Sequence, residues 1–320
     1  DLSYGFDFKT VVDRKNAVVE QLRGGVEGLL GHKLISLVRG KASFKDEHIV
    51  VVDSVEYTAD YIIIATGSVS ASLPIPGADL PGILTSKEIL DIEQIPQRLC
   101  VIGGGVIGLE FASIFRSFGS EVTVLEYCKD ILPRFDTDLA KRLKQSLGKR
   151  GIDIQTQAQV TSISESEGSY TVSFTRKGKE ETVVADKVLM AVGRRANLDS
   201  MNYEQIGLEC TRRGIAVNEK MQTNLPHIYA IGDINGLMML AHAATFQGIV
   251  ALDHIMGVEN NIDLSVMPAA VFTSPEAASV GLTEDECKDK GIPVKCMKSF
   301  FRANGKSVTM GETDGFCKVV

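Results

Sequence analysis

A glycine-rich turn between two predicted elements carries the clearest chemical signal in the sequence. Gly103, Gly105 and Gly108 form a GxGxxG pattern after the apolar run 99–102 and before the helical pattern 106–118. Such a turn lets the backbone approach a pyrophosphate, and amides of the helix N-terminus face that anion. We therefore expect a dinucleotide site. Its candidate residues are Gly103, Gly104, Gly105, Val106, Ile107, Gly108, Leu109 and Glu110.

A carboxylate follows at the end of the next predicted strand, 121–125. Glu126 stands about twenty residues after the turn, where a carboxylate accepts both ribose hydroxyls and repels a 2′-phosphate. This position favours NAD over NADP, although Lys129 and Arg134 follow closely in sequence. A plain glycine turn with a solvated Glu126 is the alternative. Glu110 could face the nicotinamide end or only solvent.

Two further segments predict a second nucleotide site. Residues 61–68 and 223–233 each read as a buried strand that ends in glycine, the place where α/β sheets bind ligands. Thr66, Gly67 and Ser68 follow the first strand, and Asp233 offers a carboxylate after the second. Each segment alone could be an ordinary strand and turn, but together they flank the GxGxxG unit.

Composition excludes several classes of protein. The 320 residues are 44% hydrophobic and 23% charged, which indicates a folded globular chain with two or more cores. A net charge of -7 argues against nucleic acid as a partner. Apolar runs fall far short of the roughly 20 residues that span a bilayer, so no membrane segment is expected. Six cysteines without a CxxC pair indicate reduced thiols in a cytoplasmic protein, and no metal site is expected.

Periodicity and turn signals place the other elements. The apolar stripe in 7–30 predicts a helix packed on the core, and the Pro/Gly cluster 74–82 predicts a domain boundary. Asp136 or Thr137 could cap a helix over 138–150. Further helices are expected at 240–256 and from Thr283, and strands near 48–52, 152–156, 160–164, 170–176, 187–192, 228–231, 269–273 and 293–300.

The order of these segments resembles the two-dinucleotide flavoprotein disulfide reductases over nearly the whole chain. Residues 65–68 are similar to the family's ATGS segment, 99–193 to its NAD domain and 223–233 to its second flavin motif. The implied fold is α/β, with FAD/NAD(P)-binding Rossmann-like domains of the three-layer ββα type and a truncated α+β dimerisation domain. The implied boundaries are 1–80 with 213–262 for a partial FAD-binding domain, 81–212 for the NAD-binding domain and 263–320 for the interface domain.

The resemblance also implies residue roles. Asp233 would hold the flavin ribityl chain, Thr66, Gly67 and Ser68 would contact FAD, and Val160 and Gly193 would touch NAD through their backbone. Met239, Leu240, Ala241 and His242 are similar to a stretch that lies along the flavin ring in the family branch that oxidises dihydrolipoamide. Glutathione and mercuric reductases differ there. His242 begins a helix and is not assigned a catalytic role.

The activity implied by the resemblance is FAD-dependent oxidation of protein-bound dihydrolipoamide with NAD+ as acceptor. The implied partners are a second copy of the chain and a lipoyl-bearing acyltransferase of a 2-oxoacid dehydrogenase or glycine cleavage complex. An NADPH-dependent disulfide reductase of the same superfamily and a non-catalytic NAD-binding module are the alternatives.

Three features depart from the family pattern. The sequence has one GxGxxG, no cysteine pair five positions apart, and no histidine that matches the family's catalytic base. We therefore expect a fragment that lacks both ends, with the redox disulfide and the base outside it. Such a fragment would bind FAD weakly or not at all and be inactive alone. Ser70 and Ala196, where the family usually has proline, do not affect the assignment.

Overall fold

The computed structural model describes residues 5–199 and 201–320. Its α-helices are α1 Phe8–Leu30, α2 Val106–Ser117, α3 Thr137–Lys149, α4 Ala241–Met256, α5 Glu284–Asp289 and α6 Gly305–Met310. Its strands are β1 Ala42–Phe44, β2 Ile49–Val52, β3 Val55–Thr58, β4 Ile62–Ile64, β5 Ser68–Ser70, β6 Ile83–Leu84, β7 Arg98–Ile102, β8 Glu121–Glu126, β9 Ile152–Thr156, β10 Ala158–Ser166, β11 Ser169–Arg176, β12 Lys179–Ala185, β13 Lys187–Met190, β14 Arg194–Ala196, β15 Ile228–Ala230, β16 Ala269–Val271, β17 Ala277–Ser279, β18 Met297–Phe300 and β19 Phe316–Val319. None of the helices in this part of the chain has the length and apolar character needed to cross a membrane.

The chain divides into two compact units. The first unit contains Asp1–Ser70 and Arg194–Ser265, and the second contains Ala71–Gly193 and Val266–Val320. The finer division of the second unit into an NAD-binding and an interface domain stays a prediction.

The second unit is built on a parallel sheet. Its strands lie in the order β6-β13-β7-β8-β9, and β7, α2 and β8 form a βαβ unit. Fully buried apolar residues, among them Cys100, Val101 and Val188, form the centre of this sheet. They account for the continuous apolar runs in the sequence, because parallel strands are covered on both faces.

An antiparallel sheet of β10, β11 and β12 belongs to the same unit. Tyr170, Val172 and Phe174 on β11 alternate inward and share a core with Cys100 and Val188. Strand β12 was not predicted from the sequence, because its run KEETVVA carries charge at its start and exposes most of its side chains.

Asp136 resolves the alternative left open for the start of α3. Its side chain accepts hydrogen bonds from the amides of Asp138 and Leu139, and the helix begins at Thr137. A carboxylate at this position satisfies two of the unpaired amides of the first helical turn.

The first unit holds several small sheets. Strands β4 and β15 pair in parallel, β14 pairs antiparallel with β5, and β1, β2 and β3 form an antiparallel sheet. Phe44, Ile64, Tyr203, Ile215 and Ile228 belong to the core of this unit.

The predicted burial of the α1 stripe is wrong. The helix forms as expected, but none of its residues is buried, and Val18, Leu22, Val26 and Leu29 are between 44% and 74% exposed. Helical periodicity identifies an apolar stripe but not its neighbour, and no described element covers this one.

The last segment of the second unit contains two antiparallel strand pairs, β16–β17 and β18–β19, the second of which is joined through α6. The strand predicted over 293–300 begins only at Met297. Helix α5 begins at Glu284, and its N-cap Thr283, where the helix was predicted to start, forms a capping box with Glu286.

Candidate functional site

Two glycines of the GxGxxG turn are required by the fold itself. Gly103 has a φ of +112°, and a Cβ at this position would overlap the carbonyl group of Ala191. A Cβ on Gly108 would overlap the carbonyl oxygen of Gly103, so α2 packs directly on the turn. Both glycines therefore allow close backbone approach within the βαβ unit.

Gly105 is different, because nothing in the fold requires a glycine there. Its φ of -78° and ψ of -175° are open to any residue, and no atom lies within 4 Å of an added Cβ. It is the N-cap of α2, and no side chain caps the helix. The first amides of α2, those of Val106 and Ile107, therefore border an open space that suits an anion. This opening fits the pyrophosphate of a dinucleotide.

Glu126 lies beside the turn as predicted, but its carboxylate already has two backbone donors. The Gly104 amide donates to Oε2 at 2.5 Å, and the Cys128 amide donates to Oε1 at 2.6 Å. The residue is 7% exposed. The Cys128 thiol also hydrogen-bonds this carboxylate. Because the two oxygens together can accept about four hydrogen bonds, acceptor capacity remains for a ribose hydroxyl.

The carboxylate of Glu110 has a backbone partner that the sequence did not indicate. Its Oε1 accepts a hydrogen bond from the Phe272 amide at 2.8 Å. One turn further along α2, Ser113 Oγ accepts from the Ser274 amide at 3.1 Å. Leu109 is fully buried and packs inside the unit.

Val160 and Gly193 are the remaining NAD candidates in the second unit. Val160 is 8% exposed, its side chain belongs to the core of the unit, and the register of β10 and β11 shifts directly after it. Gly193 follows β13, has a φ of +114°, and has no atom within 4 Å of an added Cβ.

The FAD candidates come together in the first unit. Ser68 Oγ donates to Asp233 Oδ2 at 2.5 Å, across 165 residues of sequence. The Thr66 hydroxyl lies 2.8 Å from the Tyr203 hydroxyl, and the carbonyl of Gly67 accepts from the Asn197 amide. The two strand ends predicted to hold one ligand are therefore adjacent.

Arg194 is a functional candidate that sequence reasoning missed. Its Nε donates to Ser68 Oγ at 2.7 Å, and it lies 4.0 Å from Asp233 Oδ2. The Ser68 hydroxyl thus accepts from the Arg194 guanidinium and donates to the Asp233 carboxylate. The only signal for it in the sequence is its place directly after Gly193, in the run Gly193-Arg194-Arg195.

The stretch Met239–His242 leads into α4. Met239 and Leu240 are half-buried, whereas Ala241 and His242 are exposed at the helix start. Gln247, buried on the same helix, accepts from the Gly232 amide at 2.7 Å and from Asn235 Nδ2 at 2.8 Å. This glutamine fixes the turn that carries Asp233, and no sequence signal marked it.

The cysteines do not form a reactive pair in the structure. All six are free, and burial raises the pKa of Cys100 to about 12. Within residues 5–199 and 201–320, no group of three or more His, Cys, Asp and Glu side chains is arranged to hold a metal ion.

Comparison with protein families agrees with this geometry. Residues 3–248 match the pyridine nucleotide-disulphide oxidoreductase family, and residues 267–320 match the dimerisation domain of that family. The chain is 41% identical over 320 residues to dihydrolipoyl dehydrogenase from Geobacillus stearothermophilus, covering 98% of this chain and 68% of the relative. Dihydrolipoyl dehydrogenase from Chlamydia muridarum is also 41% identical, with 69% of the relative covered.

Solved structures give the same result. The HOCl-induced flavoprotein disulfide reductase RclA from Escherichia coli superposes with a TM-score of 0.87 at 30% identity, covering 98% of this chain and 72% of that one. LpdA from Mycobacterium tuberculosis gives a TM-score of 0.89 at 26% identity, covering 98% and 71%. The predicted resemblance and the mixed α/β fold with a Rossmann-like FAD-binding domain are confirmed.

Proposed function

The chain belongs to the pyridine nucleotide-disulphide oxidoreductase family, and we propose that it works as a dihydrolipoyl dehydrogenase, which oxidises protein-bound dihydrolipoamide with FAD and NAD+. FAD, held by the residues of the first unit, would supply the redox chemistry that links a dithiol to the nicotinamide. The observation that carries the proposal is the opening at Gly105 beside the carboxylate of Glu126. A pyrophosphate and an unphosphorylated ribose fit these two features.

The chain's own residues supply binding and orientation. In the second unit, the amides of Val106 and Ile107 hold the pyrophosphate, Glu126 accepts from the adenosine ribose, and Val160 and Gly193 offer backbone groups. Gly103 and Gly108 keep the turn closed. In the first unit, Thr66, Gly67, Ser68 and Asp233 bind FAD, and Met239–His242 lie beside it. The Ser68 hydroxyl orients Asp233 toward the ribityl chain.

The proposed assembly is a homodimer formed through the interface domain, 263–320, with a lipoyl-bearing acyltransferase as the protein partner. The match of residues 267–320 to the family's dimerisation domain supports the first part. The names of the relatives support the second part. The domain boundaries 1–80 with 213–262, 81–212 and 263–320, and a cytoplasmic location, belong to the same proposal.

Nucleotide preference separates this function from an NADPH-dependent reductase. NADH and NADPH are titrated against the 320-residue chain, and binding is followed by nicotinamide fluorescence. We expect NADH to bind at least about tenfold more tightly, because Glu126 repels a 2′-phosphate. Equal binding or a preference for NADPH would favour the alternative reductase. Added FAD tests the non-catalytic alternative, since a pure NAD module would not bind it.

A further inference from the structure

A buried lysine near the end of the second unit joins three carboxylates. Lys318 lies on β19, and its side chain is 8% exposed. Its Nζ donates to Asp136 Oδ2 at 2.8 Å and to Asp138 Oδ2 at 2.8 Å, and it lies 2.7 Å from Glu284 Oε2. All three ammonium protons therefore have a partner, which is the condition for burying such a charge.

The lysine stays charged in this position. Burial lowers the pKa of Lys318, but the hydrogen bonds to the carboxylates outweigh this effect and raise that pKa above its usual value. Removing the ammonium group would leave Asp136, a side chain only 10% exposed, without its counter-charge. The pair is therefore a fixed connection between β19 and the start of α3.

Asp136 uses its two oxygens for different tasks. Oδ2 accepts from Lys318, while Oδ1 accepts from the amides of Asp138 and Leu139 and thereby caps α3. Lys318 consequently fixes the place where the preceding loop, 127–135, ends. This loop is the segment that directly follows Glu126.

The same loop returns to the glycine turn. The Leu132 amide donates to the Gly104 carbonyl at 3.0 Å, and Phe135 donates in turn to the Leu132 carbonyl at 2.9 Å. Ile131, fully buried, lies 3.1 Å from the place where a Cβ of Gly104 would be. The loop thus contacts the turn on the carbonyl side of Gly104, while Glu126 holds its amide.

Leu132 holds a strained backbone conformation in this loop. Its φ is +49°, which is uncommon for a residue with a branched side chain, and the residue is 2% exposed. Such a conformation persists only where the surroundings hold it. Gly104 holds it on one side, and the loop end at Asp136 holds it on the other.

We propose that Lys318 is a positioning residue for the dinucleotide turn, acting through Asp136 and the strained Leu132 loop on Gly104. This inference rests on the proposed NAD site. The lysine does not touch the nucleotide. Instead, it links the last strand of the interface region to NAD affinity, so that changes at β19 alter binding at the turn.

A matched set of variants separates this role from ordinary stabilisation. Lys318→Met removes the charge with a similar length, and Asp136→Asn keeps the helix cap but weakens the pair. Lys298→Met is the control: Lys298 lies on the neighbouring strand β18, and its Nζ is 2.6 Å from Asp138 Oδ2, but it forms no ion pair with Asp136. It therefore removes a comparable ion pair from the same pair of strands.

Two measurements are made on the full chain: the NADH dissociation constant and the hydrogen-exchange rate of the Leu132 amide. We expect Lys318→Met and Asp136→Asn to raise the dissociation constant about fivefold and to speed exchange at Leu132. Lys298→Met should change both by less than about twofold. Equal effects of all three variants, or no effect of the first two, would overturn the inference.

If Lys318→Met fails to fold, Asp136→Asn decides the question, because it keeps the cap and all other partners. If the wild-type chain does not bind NADH, the proposed function is wrong. In that case, a Leu132 amide that exchanges at the same rate in Asp136→Asn as in wild type overturns the inference as well. Faster exchange in the variant would still support the link from Lys318 and Asp136 to the Leu132 loop.

Discussion

The Gly104 amide donates a 2.5 Å hydrogen bond to Glu126 Oε2, which joins the glycine turn to the end of the neighbouring strand. The sequence pattern predicts Gly104 and Glu126 as two separate parts of a nucleotide site. In the structure, the Glu126 carboxylate, which we expect to accept hydrogen bonds from the ribose, also fixes the turn. This turn is the predicted site of the pyrophosphate. Both halves of the proposed NAD site therefore depend on one side chain.

Glu126→Gln tests this double role. The amide nitrogen of glutamine cannot accept, so one of the two backbone donors, at Gly104 or Cys128, loses its partner. We expect the NADH dissociation constant to rise about tenfold and the free energy of unfolding to fall by about 1–3 kcal/mol, measured by fluorescence titration and urea unfolding. Glu121→Gln, at the exposed start of the same strand, should change neither value. Unaltered NADH binding in Glu126→Gln would exclude Glu126 from the site.

Gly105→Ala tests the opening in the turn. Because the backbone accepts alanine and no atom lies near the added Cβ, the free energy of unfolding should change by less than about 1 kcal/mol. The methyl group would occupy the space of the pyrophosphate, so the NADH dissociation constant should rise at least about tenfold. Gly148→Ala in α3, also without a nearby atom, is the control and should bind NADH normally. Normal binding by Gly105→Ala would show that the ligand does not approach this residue.

Asp233→Asn tests the FAD site of the first unit. The substitution removes the charge that accepts from Ser68 and lies near Arg194, so the protein should bind FAD about tenfold more weakly than wild type, as measured by quenching of flavin fluorescence. Asp199→Asn is the control, because Asp199 forms an exposed pair with Arg195 in the same unit. Equal FAD affinity in both variants would remove Asp233 from the flavin site.

Stability near α3 should depend on acid pH. Hydrogen bonds from Lys298, which has the larger effect, and from Lys318 lower the pKa of Asp138 to about 2 from the usual 3.8. A carboxyl group with a depressed pKa stabilises the fold above its unfolded value, and this contribution is lost as the pH falls from about 4 to about 2. The difference in unfolding free energy between wild type and Asp138→Asn should therefore be constant above about pH 5 and shrink below about pH 4.

The measurement is urea unfolding over a pH series, with exposed Asp289→Asn as the control. Because the Asp138 side chain is 39% exposed, added salt should also reduce the difference. A difference that stayed constant from pH 7 to pH 3 would contradict the assigned ion pairs.

The βαβ unit and its turn were predictable because their signals are local. The apolar run of β7, the three glycines and the helical pattern of α2 lie within about twenty residues, and their spacing determines the geometry. The parallel pairing of Ile62–Ile64 with Ile228–Ala230 was not predicted, since distant strands leave no mutual pattern in one sequence.

Long-range side-chain partners were not predictable. Lys318 and Asp136 are 182 residues apart, and Ser68 and Asp233 are 165 apart. Glu110 pairs with the Phe272 amide, a contact that no periodicity indicates. The apolar stripe of α1 is a further example. Its amphipathic pattern predicted the helix correctly but did not indicate which element, if any, covers the stripe.

The most direct test of the account is to locate the bound nucleotide by NMR. The isotope-labelled chain is titrated with NAD+, and the backbone amide shifts are followed. We expect the largest changes at Gly104, Gly105, Val106 and Ile107, with further changes at the strand end around Glu126. Saturable binding with its largest shifts elsewhere, or no shifts at the glycine turn, would contradict it.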